Sequence, residues 1–228
     1  MIDRPLELRA LRTLAAALRY AGRTGLVVCG LAVFALGIVL TLQSGLGLGP
    51  WDILHQGLSR RLPITFGQAN EGAGALVILI GLVLGVRPGV ATLLNMVLIG
   101  FFVDRILDAH LIPSAVPSGS VAQVSMDLVG VAAVGLGSGL YLRGGLGAGP
   151  RDGLMLGLHA HFGGSLALTR TLIEISVGVV GFLLGGTLGV GALIFAVGIG
   201  PAVEVSLRLC GVPVREKSRR RDAAKSLV

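Results

Sequence analysis

The sequence predicts an all-α membrane protein: about six transmembrane helices as two inverted three-span repeats, each with a glycine-rich break and a short re-entrant or interfacial helix. Three observations predict it. The 228 residues are 53% hydrophobic and 14% charged, whereas an average soluble domain is about 25% charged. Uncharged runs close to the length of a bilayer-crossing helix recur along the chain, and such a helix needs about 20 apolar residues. The chain also matches itself at an offset of one hundred residues. With a mean hydropathy of +0.85, its polar side chains cannot cover a globular surface. That excludes a soluble enzyme, a disordered protein and a disulfide scaffold.

The elements follow in order. Residues 1–24 form a basic segment expected on the cytoplasmic side. The first span is 25–45. The second is 68–86, ended by Arg87-Pro88-Gly89, and the third is 90–107. A connecting loop, 110–124, separates the first membrane repeat, 25–109, from the second, 125–209. The fourth span is 121–142, the fifth 167–186 and the sixth 190–209. A basic tail, 210–228, closes the chain. The first span follows a long basic segment and has no small-residue cleavage site, which argues against a signal peptide.

The repeat is gapless. Gly45-Leu46-Gly47-Leu48-Gly49-Pro50-Trp51-Asp52-Ile53-Leu54 matches Gly145-Leu146-Gly147-Ala148-Gly149-Pro150-Arg151-Asp152-Gly153-Leu154. Gly30 pairs with Gly130, Gly37 with Gly137, Gly57 with Gly157, Gly81 with Gly181, Gly89 with Gly189, Gly100 with Gly200, and Asp104 with Glu204. A fixed period of this kind marks a repeat architecture. It makes the first span the counterpart of an interior span, hence structural. It also requires a break near Gly185–Gly189, where the partner segment is broken by Arg87-Pro88-Gly89.

Each unit reads span, glycine motif, short segment, span, turn, span. The short segment beginning at Trp51 cannot cross the hydrocarbon. Three crossings per unit is odd, so tandem units face opposite ways and both termini share one side. Charge agrees in part. Of 19 Lys and Arg, five precede Thr24 and seven lie from Arg208 onward. Basic tails flanking apolar spans read as cytoplasmic anchors that touch anionic lipid. The net charge of +7 therefore belongs to the tails, not to a nucleic-acid recognition face, and Arg219, Arg220 and Arg221 are part of it. Arg60 and Arg61 fall on the opposite side and count against this topology.

The Gly-x-Gly-x-Gly-Pro-x-Asp motif has a local physical sense. Close glycines let the backbone leave helical geometry and let another element approach. Proline suits a first helical turn, and Asp52 and Asp152 then sit where a carboxylate favours free N–H groups. Two readings stand side by side: tight packing with helix capping, or a ligand site. Interrupted segments at matching places in inverted halves point to a binding site near the bilayer midplane. On the second reading Gly47, Gly49, Pro50, Asp52, Gly147, Gly149, Pro150 and Asp152 contribute to a substrate site. The series Gly81, Gly85, Gly89 and its copy Gly181, Gly185, Gly189 read as helix-packing positions.

Ionisable side chains within spans are costly and mark candidate functional positions. Glu71, Asn95 and Glu174 join the list, with Arg170 one turn before Glu174 as its available partner. Asp104 and Glu204 lie near span ends, where they can reach water. Cys29 and Cys210 sit in apolar surroundings as buried hydrophobes. His55, His110, His159 and His161 form no metal spacing. There is no His-Glu-x-x-His site, no Gly-x-Ser-x-Gly elbow, no phosphate loop and no dinucleotide fingerprint. The expectation is a protein that is not an enzyme, binds no metal and needs no cofactor.

Residues 45–59, together with Arg87-Pro88-Gly89 and Thr92-Leu93-Leu94-Asn95, resemble the YczE/YyaS/YitT group of bacterial integral membrane proteins, and most closely its YczE-like branch. The resemblance implies a bacterial plasma-membrane protein of about six spans and carries over no site residue. The second unit departs from the first with Arg151 for Trp51 and Met155 for His55. The leading expectation is a small secondary transporter or exporter of a small molecule or ion, its pathway between the repeats. The alternative is a non-transporting accessory protein that docks a cytoplasmic partner through its basic tails. Either is compatible with a homo-oligomer.

Overall fold

The computed structural model describes residues 4–116 and 119–211, and of residues 4–10 and 12 the backbone alone. Among the described residues there are eight helices and no strand: α1 (Arg4–Ser44), α2 (Pro50–Arg61), α3 (Phe66–Val83), α4 (Val90–Asp108), α5 (Ser120–Arg143), α6 (Pro150–Phe162), α7 (Leu166–Leu183) and α8 (Val190–Leu209). Six are long and apolar enough to cross a membrane: the Thr13–Ser44 part of α1, and α3, α4, α5, α7 and α8. With 12 and 13 residues, α2 and α6 are too short to do so.

The spans fall within a few residues of their expected places. The break expected at Gly185–Gly189 lies between the end of α7 and the start of α8. One difference is large. The basic N-terminal segment is no separate unit: α1 starts at Arg4 and runs unbroken into the first span. The physical reason is composition, since this stretch is mostly Ala, Leu and Arg, all strong helix formers. The connection after α4 is shorter than 110–124, because α5 begins at Ser120. Most of the basic tail, from residue 212, lies outside the described residues.

Local signals explain the element ends. Gly49 and Gly149 precede α2 and α6, each of which opens on proline. Thr65 and Gln68 form a capping box at the start of α3. Gly85 and Gly185 take φ of +81° and +99° just past α3 and α7, the left-handed conformation that ends helices on glycine.

α1 and α5 form the centre of the fold and run antiparallel. A Cβ on Gly30 would stand 2.5 Å from the Tyr141 nitrogen, and one on Gly37 would stand 2.6 Å from that of Val134. Only bare backbone fits at these crossings. Val27, Leu31, Ala35, Ile38 and Val39 of α1 bury against Ala91, Ile99 and Val103 of α4. α8 runs alongside α5 in the same direction, with Gly135 against Ala202 and Gly139 against Ser206. α2 lies along α7, and α6 along α3.

Several bonds between the halves recur with the halves exchanged. Gly191 N–H donates to Leu46 O at 2.8 Å, and Ala91 N–H donates to Leu146 O at 3.0 Å. Arg23 Nε donates to Gly144 O at 2.7 Å, while Gln123 Nε2 donates to Ser44 O at 3.0 Å. These contacts define two faces. The starts of α1 and α7 and the ends of α5 and α8 lie at the near face. The ends of α1 and α4 and the starts of α3 and α5 lie at the far face.

Candidate functional site

The glycine motifs bring the chain back into the bundle. After α1 ends, Leu48 N–H donates to Thr187 O at 3.3 Å, and Pro50 arrives beside Gly178, about a turn and a half before the end of α7. From there α2 runs outward along α7. Arg60 and Arg61 donate to the carbonyls of Gly185 and Leu184 at the end of α7. The two arginines that fit the charge count poorly thus complete a helix C-terminus, where cations are favoured. The second motif does the same from the other face. Gly147 packs on Gly89, Thr92 Oγ1 donates to Ala148 O at 2.7 Å, and Gly157 lies against Leu84 and Val86.

The inner ends of α2 and α6 meet. The Arg151 guanidinium carbon lies 4.8 Å from the centre of the Trp51 ring, within cation–π range. Around this pair is a cavity of about 210 Å³, lined from both halves by Gly49, Pro50, Trp51, Asp52, Gly149, Pro150, Arg151 and Asp152, with Asn95, Tyr141, Arg170 and Glu174 among the rest. Its outer part lies between α7 and α8.

The site is charged. Asp52 and His55 are buried. Their Oδ1 and Nδ1 face each other at 3.4 Å and make no hydrogen bond, a separation too long for a good one. His55 also meets Phe66 edge-on at 5.6 Å. On the short helices, burial lowers the His55 pKa and favours the neutral ring, against the pull of Asp52. Burial likewise raises the Asp152 pKa, opposed by Arg170, Arg151 and the Gly149 backbone. Burial works against charged Arg151, and the carboxylates of Asp52 and Asp152 hold it charged. At the cavity's outer part Arg170 Nε donates to Glu174 Oε1 at 2.9 Å, the pairing expected from their spacing. Among the described residues no group of three or more His, Cys, Asp or Glu side chains converges as a metal would need.

Of the residues singled out in the sequence, Gly49, Pro50, Asp52, Gly149, Pro150, Asp152, Asn95 and Glu174 line this cavity. Gly47 and Gly147 pack instead on Gly189 and Gly89, shaping the two loops. Glu71 is elsewhere, beside Gly100 where α3 meets α4. The sequence reading did not assign Trp51, Arg151 or Tyr141 to the site. The available signal was the position where the motif copies differ most, an aromatic ring in one and a cation in the other.

A family model described as "Family of unknown function (DUF6198)" matches residues 21–208. An "Uncharacterized protein" of Haemophilus influenzae is 36% identical over 184 residues, covering 81% of this chain and 83% of its own. The "Uncharacterized membrane protein YczE" of Bacillus subtilis is 34% identical over 181 residues, covering 78% and 82%. The "Uncharacterized protein YyaS" of the same organism is 26% identical over 167 residues, covering 72% and 82%. No solved structure matches the chain. The matched region takes in every helix of the bundle apart from the start of α1 and the last residue of α8, and the chain belongs to the DUF6198 family.

Proposed function

We propose that this protein is a small secondary transporter or exporter of the bacterial plasma membrane, with its solute site where α2 and α6 meet. It has no enzymatic activity in this reading, and both termini are cytoplasmic, so the near face is the cytoplasmic one. The observation that carries the proposal is the cavity of about 210 Å³ at the paired helix starts, with the buried carboxylate of Asp52, whose Oδ1 makes no hydrogen bond, at its lining. Irregular backbone at membrane depth is tolerated where it lines a cavity. Charged groups held there, between halves of opposite orientation, are the usual arrangement of a solute or coupling-ion site. The antiparallel α1 and α5 and the exchanged bonds between the halves support an inverted repeat. Its axis lies in the membrane plane.

The test is solute uptake and efflux profiling of a deletion strain carrying either the wild-type chain or Asp52→Asn/Asp152→Asn. With transport normalised to the amount of protein in the membrane, the double variant is expected to lose the solute movement that wild type restores. Restoration by the double variant, or by neither chain, overturns the proposal.

A further inference from the structure

The α3–α4 and α7–α8 hairpins hold matching parts in two arrangements. In the first, Asp104 near the end of α4 reaches back to the start of α3. Its Oδ1 accepts from Gly67 N–H at 2.8 Å, and its Oδ2 accepts from the Thr65 hydroxyl. The helices meet there through bare backbone: a Cβ on Gly100 would stand 2.5 Å from the Gly67 carbonyl oxygen. In the second, the same positions are Ser165, Ala167, Gly200 and Glu204. Nothing lies within 4 Å of a Cβ placed on Gly200. Ser165 caps only its own helix, through Leu168 N–H at 3.5 Å. Glu204 turns to Arg208 on its own helix.

The spaces behind the two hairpins follow suit. The cavity reaching between α7 and α8 holds about 210 Å³, and its lining includes Arg170, Glu174, Phe195 and Ile199. The counterpart between α3 and α4, lined by Asn70, Gly74 and Asn95 among others, holds about 10 Å³. The sequence differences at the hairpin ends compensate each other. Ala167 adds a Cβ where Gly67 has none, so a closed second hairpin sits wider. Glu204 is one methylene longer than Asp104 and spans that extra width.

Resting on the transport reading above, we propose that these are two alternating latches. Asp104 holds the far face shut in this structure. Glu204 shuts the near face by leaving Arg208 and accepting from the Ser165 hydroxyl and the backbone N–H of Ala167. Free N–H groups at a helix start favour a carboxylate, so the second latch gains the charge-assisted bonds the first one has now. Closing one hairpin while the other opens moves the access of a single site from one face to the other, as inverted halves permit.

The experiment uses the full chain in lipid nanodiscs with Cys29→Ser and Cys210→Ser, and spin labels on cysteines replacing Gly72 and Ala109, or Leu172 and Leu209. Each pair is expected to give two distances. Gly67→Ala or Asp104→Asn should lengthen the first pair and shorten the second together. Asp104→Asn keeps the side-chain shape, so it carries the test if Gly67→Ala fails to fold. Glu204→Asp should reduce the short-distance population of the second pair by about tenfold to a hundredfold, and Ala167→Gly/Glu204→Asp should restore it. A second pair fixed at one wide distance in every variant, or pairs that shift independently, overturns the latches. Coupled distances with no solute movement in the same proteins support the latches and sink the transport reading. Solute movement with a fixed second pair does the reverse.

Discussion

α3 and α4 lie against each other, whereas α7 and α8, at matching positions in the second half, scarcely touch. The halves share the turn glycines and the proline-led short helix, and α3 and α7 are both 18 residues long. Three differences bear directly on the contact at the hairpin mouth. Gly67 is replaced by Ala167, Gln68 by Leu168 and Asp104 by Glu204. The first change puts a methyl group where backbone meets backbone, the second removes half of a capping box, and the third lengthens a carboxylate arm. At the mouth of the hairpins Asp104 joins α4 to the start of α3, whereas Glu204 stays with Arg208 on α8. At the inner ends the halves differ in another way. Trp51 supplies a ring and Arg151 a charge, and the two complete each other.

Removing the charge should matter most. Arg151 stands with Asp52 and Asp152 at the cavity, and its loss leaves two carboxylates without their central cation. Arg151→Ala is expected to destabilise the fold by about 2–3 kcal/mol, the upper part of the range for leaving a buried polar group without compensation. Trp51→Leu removes the ring and keeps the charges, at about 0.5–2 kcal/mol for the cation–π contact. Denaturant unfolding in mixed micelles ranks the two. Asp52→Asn/Asp152→Asn added to Arg151→Ala should recover part of the loss. An Arg151→Ala protein as stable as Trp51→Leu would mean the guanidinium is not what holds the carboxylates in place.

The hairpins themselves give a smaller and cleaner contrast. Gly100→Ala must push α3 and α4 apart and should cost about 1–3 kcal/mol, the range for overpacking. Gly200→Ala meets open space and should fall within about 0.5 kcal/mol of wild type, as surface changes do. The same unfolding measurement separates them. Equal effects would show that the second hairpin spends most of its time closed.

Most of the fold was legible in the sequence because it depends on quantities a sequence carries directly. Span length, uncharged runs and the fixed offset placed six helices, and the copy of Arg87-Pro88-Gly89 located the turn after α7. The extent of α1 was missed because charge was read as a boundary, although Arg and Leu prolong a helix equally well. At the site, the motif residues from Gly49 to Asp52 and Gly149 to Asp152 converge because their spacing encodes a return into the bundle. Glu71 stands out in the sequence by the cost of a charge within a span and by its polar neighbours Gln68 and Asn70. Hydropathy gives depth along a helix but not the face it presents, and Glu71 points into the α3–α4 contact. The pairing of Trp51 with Arg151 joins residues one hundred positions apart, and only the folded arrangement of α2 and α6 brings them together.

The helix caps give the finest contrast. Thr65 accepts from Gln68 N–H at 3.0 Å and also donates to Asp104. Ser165 makes the longer Leu168 contact alone. Thr65→Ala should therefore cost about 1 kcal/mol, typical for an N-cap. In this state Ser165→Ala should cost only a few tenths, since an acceptor distance of 3.5 Å is at the limit of a hydrogen bond. The two variants can be ranked by thermal unfolding of the purified protein in the same lipid. The ranking depends on which latch is made. In Asp104→Asn, where the second latch is expected to close, Ser165 gains Glu204 as a partner and its substitution should become the costlier one. A rank order unchanged by Asp104→Asn would place both serine and threonine outside any exchange between the two hairpins.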